Sequence, residues 1–147
     1  MAEAPRSPGK AVLYLRVARR SEPGKTDTEI NMQRQACEHR ASELGLEVVC
    51  EYVDYGRSGG LDQRPRLKEL LSDLKLRRDV QWVIAYDQQS VARTMLEYTY
   101  AIWDVQDSGA ELEIASLPHV SHEHNGLTGR RMRRIGEQQH RRSNDNS

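Results

Sequence analysis

Arginine carries much of the chemistry this sequence offers, and it is unevenly placed. Residues 127–147 hold six arginines, including Arg130, Arg131, Arg133 and Arg134, against Glu137 and Asp145, a net charge of +4. The rest of the chain has 16 basic and 20 acidic residues, so a formal total of zero hides a basic tail on an acidic body. Such a tail reads either as a phosphate-seeking arm or as a solvated terminus. His119, His122 and His124 with Glu123 form a second candidate group. Their spacing fits no familiar zinc pattern, so a solvated loop is expected and no metal. Gly24-Lys25-Thr26 has the ending of a phosphate-binding loop, but Arg19 stands where its first glycine is needed. Cys37 and Cys50 lack C-x-x-C spacing and read as buried reduced thiols.

A chain of 147 residues suits one domain with a real core. Charged residues make up 30% and apolar residues 37%, as in an α/β domain with solvated helix faces. No apolar run is long enough to span a membrane. Met1 to Lys10 contain no apolar signal region, so the expectation is a cytoplasmic protein without a membrane partner.

The elements that must position any site follow from periodicity. Residues 1–10, with Pro5, Pro8 and Gly9, read as a flexible leader. Residues 11–17 read as a strand, and Arg19–Lys25 as the loop leaving its carboxyl end. Thr26 and Glu29 have capping-box spacing, opening a helix with Ile30, Cys37, Ala41 and Leu44 on one face and Gly45 at its end. Leu46, Val48, Cys50 and Tyr52 alternate as a second strand. Pro65 begins a helix whose Leu67, Leu70, Leu71 and Leu74 recur at i, i+3, i+4 and i+7. Val80 to Ala85 form an apolar strand, Met95, Tyr98, Ile102 and Val105 line a helix closed by Gly109, and Leu112 to Ala115 give a fourth strand. Trp82, Trp103 and the tyrosines are expected in the core, and Arg77-Arg78 complement a helix dipole. This alternation predicts an α/β domain over 11–117: three layers, with a mostly parallel sheet of four or five strands flanked by helices. Ligands of such sheets meet the carboxyl ends of the strands. Residues 118–147 are expected to be a polar loop and a short basic tail, helical from near Leu127.

Five ordered motifs resemble the catalytic domain of the resolvase–invertase serine recombinases. Tyr14-Leu-Arg-Val-Ala18 is similar to the family's first-strand signature Tyr-x-Arg-Val-Ser. Gln33 lies in a segment similar to its Glu-x-Gln helix. Tyr52-Val-Asp-Tyr-Gly-Arg-Ser-Gly59 resembles its Tyr-x-Asp-x-x-x-Ser-Gly loop. Leu61-Asp-Gln-Arg-Pro65 resembles its Asp-Arg-Pro segment with one extra residue, and Tyr86 to Thr94 its Tyr-Asp-x-Asp-Arg-Leu-x-Arg motif. The resemblance implies a site of Tyr14, Arg16, Gln33, Asp54, Ser58, Arg64 and Arg93. In the family a serine attacks a DNA phosphodiester and arginines stabilise the transition state without a metal or other cofactor.

Three matching positions depart. Ala18 stands where the family has its nucleophilic serine, Gln89 where it has an acid, and Ser90 where it has an arginine. Losing the acid–arginine pair is expected to cost roughly 10³–10⁵ in rate, and losing the nucleophile removes the covalent step. The resemblance therefore implies a recombinase-family module without strand cleavage. It would contact DNA weakly through phosphates, and its partners would be DNA, a second copy or a related recombinase. The alternatives are an active recombinase or nickase using Ser21, and a pure protein-interaction domain. Ser21 lies three residues beyond Ala18, and extended residues advance about 3.3 Å each, far outside reacting geometry. Ser58 and Ser90 are expected to be hydrogen-bonding surface residues.

Overall fold

In a computed structural model of the chain, residues 8–18, 23–56 and 64–120 are described. In chain order they form β1 (Gly9–Ala18), α1 (Pro23–Glu43), β2 (Leu46–Gly56), α2 (Pro65–Arg77), β3 (Trp82–Ala85), α3 (Gln88–Val91), α4 (Met95–Asp107) and β4 (Glu111–Ile114). All pairings among these strands are parallel, in the order β2-β1-β3-β4. A parallel sheet needs both faces covered. Ala11, Leu13, Leu15 and Val17 of β1 face Ile30, Cys37 and Ala41 of α1. The alternate residues Val12 and Tyr14 face Leu67, Leu70, Leu71 and Leu74 of α2 and Ala101 and Val105 of α4. The result is the expected three-layer α/β architecture.

Several boundaries differ from the sequence expectation. β1 starts at Gly9, inside the stretch expected as a leader. α1 starts at Pro23 rather than at the Thr26 capping box, because proline suits a first helical turn whose N–H groups lack helical partners anyway. Gly45 and Gly109 end their helices at φ +68° and +95°, as glycine C-caps should. The short α3 was not anticipated; Asp87 nucleates it by accepting from the Ser90 backbone N–H at 2.7 Å.

β2 departs more informatively. Its pairing with β1 runs Ala11↔Val48 and then Val12↔Cys50, so Val49 is an extra residue, a β-bulge. Leu46 and Val48 therefore pack with the α1 layer, whereas Cys50 and Tyr52 pack with the α2 layer. The single alternating face expected for Leu46, Val48, Cys50 and Tyr52 is in fact two faces. β2 also runs on to Gly56, which brings Asp54 opposite Arg16.

The expected core aromatics are corrected too. Tyr14 and Tyr52 are buried, but Trp103 is 56% and Tyr100 52% exposed, and Met95 also faces outward. Residues at 95, 98, 102 and 105 share a stripe on paper, yet the inward face of α4 is set by Ala101 and Val105. No described helix is long and apolar enough to cross a membrane.

Candidate functional site

The site grows from the carboxyl end of β1. Tyr14 is buried on the α2 face, and its hydroxyl donates to Asp54 Oδ2 at 2.8 Å. Burial and that hydrogen bond push the Tyr14 pKa far up, so the phenol stays protonated and remains the donor. The Asp54 carboxylate does a second job. Oδ1 accepts from the Arg66 N–H at 3.0 Å and Oδ2 from the Leu67 N–H at 3.1 Å. Arg64, at the N-cap of α2, makes no side-chain cap hydrogen bond, and Pro65 has no N–H to offer. Asp54 on β2 thus caps α2 from a distance, satisfying two amides that a helix leaves open. This capping role has no local sequence signal, because donor and acceptor lie 12 and 13 residues apart.

That cap fixes Arg64. Its side chain is only 2% exposed, and among the described residues Nε and Nη1 have no hydrogen-bond partner. Nη2 makes one long contact, 3.4 Å, to the Gln89 carbonyl oxygen. Burial, and then the charge of Arg16, lower the Arg64 pKa from its usual value. Both guanidinium groups act on the Tyr14 hydroxyl, so Arg16, Arg64, Tyr14 and Asp54 form one electrostatic cluster. The carboxylates of Glu97 and Asp54 also act on Arg64, and its buried Nε and Nη1 leave N–H groups suited to an anion with oxygens to accept them.

Gln33 supports this cluster from α1. Its Nε2 donates to the Arg16 carbonyl at 2.9 Å and its Oε1 accepts from the Arg16 N–H at 3.2 Å. The β1–β3 pairing ends at Tyr14↔Ala85, so the Gln33 amide takes the place of the missing strand beside Arg16.

The remaining expected residues are placed differently. Gln89 contributes its backbone carbonyl to Arg64. Ser90 is corrected from a surface residue to a buried one; its hydroxyl donates to Asp87 Oδ1 at 2.6 Å, so Asp87 binds both its amide and its hydroxyl. Arg93 is exposed, outside the buried pair, on the rim of a hollow of about 150 Å³ with Gln88, Gln89, Met95 and Tyr98. Ala18 ends β1 opposite Gly56. Ser21, Ser58, Arg130, Arg131, Arg133 and Arg134, and with them His122 and His124, lie outside the described residues.

His119 is described; it lies in the exposed loop after β4, as expected, but its ring is engaged there. Its Nδ1 sits 2.6 Å from Glu113 Oε2, and its ring meets Trp82 edge-on at 6.1 Å. Glu113 in turn accepts from Arg40 Nη1 at 2.9 Å, and Arg40 also donates to the carbonyls of Ile114, Ala115 and Leu117. This buried clamp between α1 and the end of β4 escaped the sequence reading, since Arg40 and Glu113 are 73 residues apart. No group of three or more possible metal ligands occurs among the described residues. Burial pushes the Cys37 thiol up to about 12, so it behaves as a packing group.

The profile of the resolvase N-terminal domain family matches residues 11–143. The chain belongs to that family. Solved structures agree with the fold. A resolvase family site-specific recombinase from Streptococcus pneumoniae is 21% identical, with a TM-score of 0.64 over 93% of this chain and 91% of that one. The C-terminal catalytic domain of ISC1926 TnpA, an IS607-like serine recombinase, is 23% identical, with a TM-score of 0.61 over 72% of this chain and 70% of its own. The N-terminal catalytic domain of TP901-1 integrase is 23% identical, with a TM-score of 0.60 over 72% of this chain and 76% of its own. No curated protein sequence matches. This resolvase-family chain is thus a serine-recombinase-type domain with an alanine at the end of its first strand.

Proposed function

We propose that this serine-recombinase-family domain holds a DNA phosphate without cutting the strand, and acts as a DNA- or recombinase-associated regulatory module. The observation that carries the reading is Arg64, a buried guanidinium with two nitrogens, Nε and Nη1, unpartnered among the described residues, beside Arg16. A buried charge left in that state is costly unless an anion completes it. A phosphodiester brings one negative charge and two non-bridging oxygens, which a forked donor matches. Strand cleavage needs more than binding. It needs an oxygen to displace the deoxyribose oxygen from phosphorus, and residue 18 ends in a methyl group. At the last motif, Gln89 and Ser90 supply neither the acid nor the additional cation, and Ser90 is engaged with Asp87.

The test separates binding from chemistry. DNA retention is expected to fall steeply with salt as phosphate contacts exchange for counterions, and Arg64→Gln is expected to weaken it. Incubation with a supercoiled or nicked suicide substrate is expected to leave no covalent protein–DNA adduct, and Ala18→Ser alone is expected not to create one. A phosphoserine adduct in the parent chain, abolished by Ser21→Ala, would show an active enzyme instead. Absence of DNA binding even at low salt would leave a protein-interaction domain.

A further inference from the structure

β2 is an outer strand of the sheet. It pairs with β1 in the order β2-β1-β3-β4, and among the described residues no strand lies along its other edge. Such an edge presents a row of backbone N–H and C=O groups that a further strand can take up. Proline and lysine commonly blunt an edge of this kind, yet β2 contains no proline, lysine or arginine. After the Val49 bulge its register with β1 is regular through residues 50–56. A hollow of about 450 Å³ lies on this stretch. Cys50 and Tyr52 border it from the α2 layer. Glu51, Val53 and Tyr55 border it as well, although they alternate toward α1, where Glu51 meets Arg34 and Val53 joins the α1 core. Side chains of both faces can line one hollow only where it wraps the free edge of the strand.

The far wall belongs to α2, whose Arg66, Glu69 and Asp73 follow one another at i, i+3 and i+7. Charge says which strand fits. Arg34 and Arg66 already answer Glu51 and Glu69, at 2.8 and 2.7 Å. Asp73 accepts from the Tyr52 hydroxyl at 2.6 Å and, among the described residues, has no cation against it. Burial, and then the bond to Asp73, raise the Tyr52 pKa, so the phenol keeps its proton and remains the donor. A carboxylate is thus held at the hollow with its charge uncompensated. A second copy of β2 is a poor match for this edge. Its charged residues, Glu47, Glu51 and Asp54, are all acidic, and like charges on adjoining strands repel.

We propose that the free edge of β2 at residues 50–55 is a strand-addition site for an extended segment of a partner protein with lysine or arginine at alternate positions. The segment's backbone pairs with β2, and one basic side chain reaches Asp73. The inference does not rest on the DNA reading, and neither Asp73 nor Tyr52 belongs to the cluster around Arg64.

The experiment titrates the full chain into a fluorescein-labelled peptide of alternating lysine and valine, Lys-Val-Lys-Val-Lys-Val, and reads fluorescence anisotropy. Saturable binding is expected, and about tenfold weaker binding when glutamate replaces lysine. Only alternate amides of an added strand face its neighbour. N-methylation of either the lysines or the valines, whichever set faces β2, is therefore expected to weaken binding by about tenfold or more with the charges unchanged. Asp73→Asn in the full chain is expected to weaken it about two- to fivefold, as for a solvent-accessible ion pair, with circular dichroism confirming that the variant stays folded. Amide hydrogen exchange at residues 51–55 is expected to slow when the peptide is present. Absence of binding overturns the proposal, as does equal binding of the glutamate peptide or binding that survives both methylations. Unchanged affinity in Asp73→Asn, or exchange at residues 51–55 that does not slow, places the peptide elsewhere and overturns it too.

Discussion

The Tyr14 hydroxyl and the Asp54 carboxylate are joined at 2.8 Å across neighbouring strands, and the same carboxylate holds the first turn of α2. One buried hydrogen bond thereby couples the β1 signature to the helix that presents Arg64. Tyr14→Phe is expected to cost about 1.5–3 kcal/mol in chemical denaturation, the usual worth of a hydrogen bond to a charged group. The raised Tyr14 pKa adds a pH signature. Its contribution is complete below the ordinary tyrosine range and is lost as alkaline pH climbs from there toward the folded value. The Phe variant is therefore expected to show a flatter loss of stability above about pH 10.

Arg64 is expected to behave oppositely in stability and in binding. Arg64→Leu removes a buried cation lacking a full set of partners, so stability without ligand is expected to rise or hold, by about 0–4 kcal/mol. The parent chain is expected to gain melting temperature with added phosphate or sulfate through ligand linkage, and the variant to lose that gain. Thermal melts with and without the anion measure both. A variant that still responds equally to phosphate would move the anion site elsewhere.

Arg34 and Glu51 tie α1 to the edge strand with two contacts of 2.8 Å. The hydrogen bond from Arg34 pulls the Glu51 pKa down despite some burial. A depressed folded value means the contribution is present above the ordinary glutamate pKa and disappears as pH falls through the folded one. Glu51→Gln is thus expected to reduce the slope of acid destabilisation below about pH 4.3 while changing neutral stability little. Denaturation midpoints across the acid range test this.

Arg40 is a structural keystone outside the cluster of Tyr14, Arg16, Asp54 and Arg64. Arg40→Ala is expected to destabilise by about 3–5 kcal/mol, because it leaves Glu113 buried without its cation and strips the carbonyls of Ile114, Ala115 and Leu117 of a donor. Arg40→Leu, which keeps packing volume, separates charge from space. A loss below about 1 kcal/mol in both would show the clamp to be dispensable.

Local periodicity was enough wherever one face was set by neighbours in sequence. The leucines of α2, the inward alternation of β1 and the glycine stops of α1 and α4 are of this kind. Long-range pairing was opaque. Nothing near Asp54 signals that it caps α2, nothing near Arg40 points to Glu113, and nothing in β2 announces an extra residue at Val49. For α4, apolar residues occur on both faces, so periodicity alone could not say which side turns inward. The cluster of Tyr14, Arg16, Asp54 and Arg64 was legible through motif resemblance, whereas Gln33's bonding to the Arg16 backbone and Ser90's burial became apparent only with the neighbouring elements in place.

The bulge at Val49 has a consequence for how this domain can vary. Upstream of it β2 turns its side chains toward one layer, downstream toward the other, and Asp54 lies downstream. Shortening the strand by that one residue would leave every amino acid type intact yet aim Asp54 at α1, away from Tyr14 and the amides of Arg66 and Leu67. Phase along the edge strand, set by a residue with no chemistry of its own, thus governs whether the arginine pocket can be assembled at all.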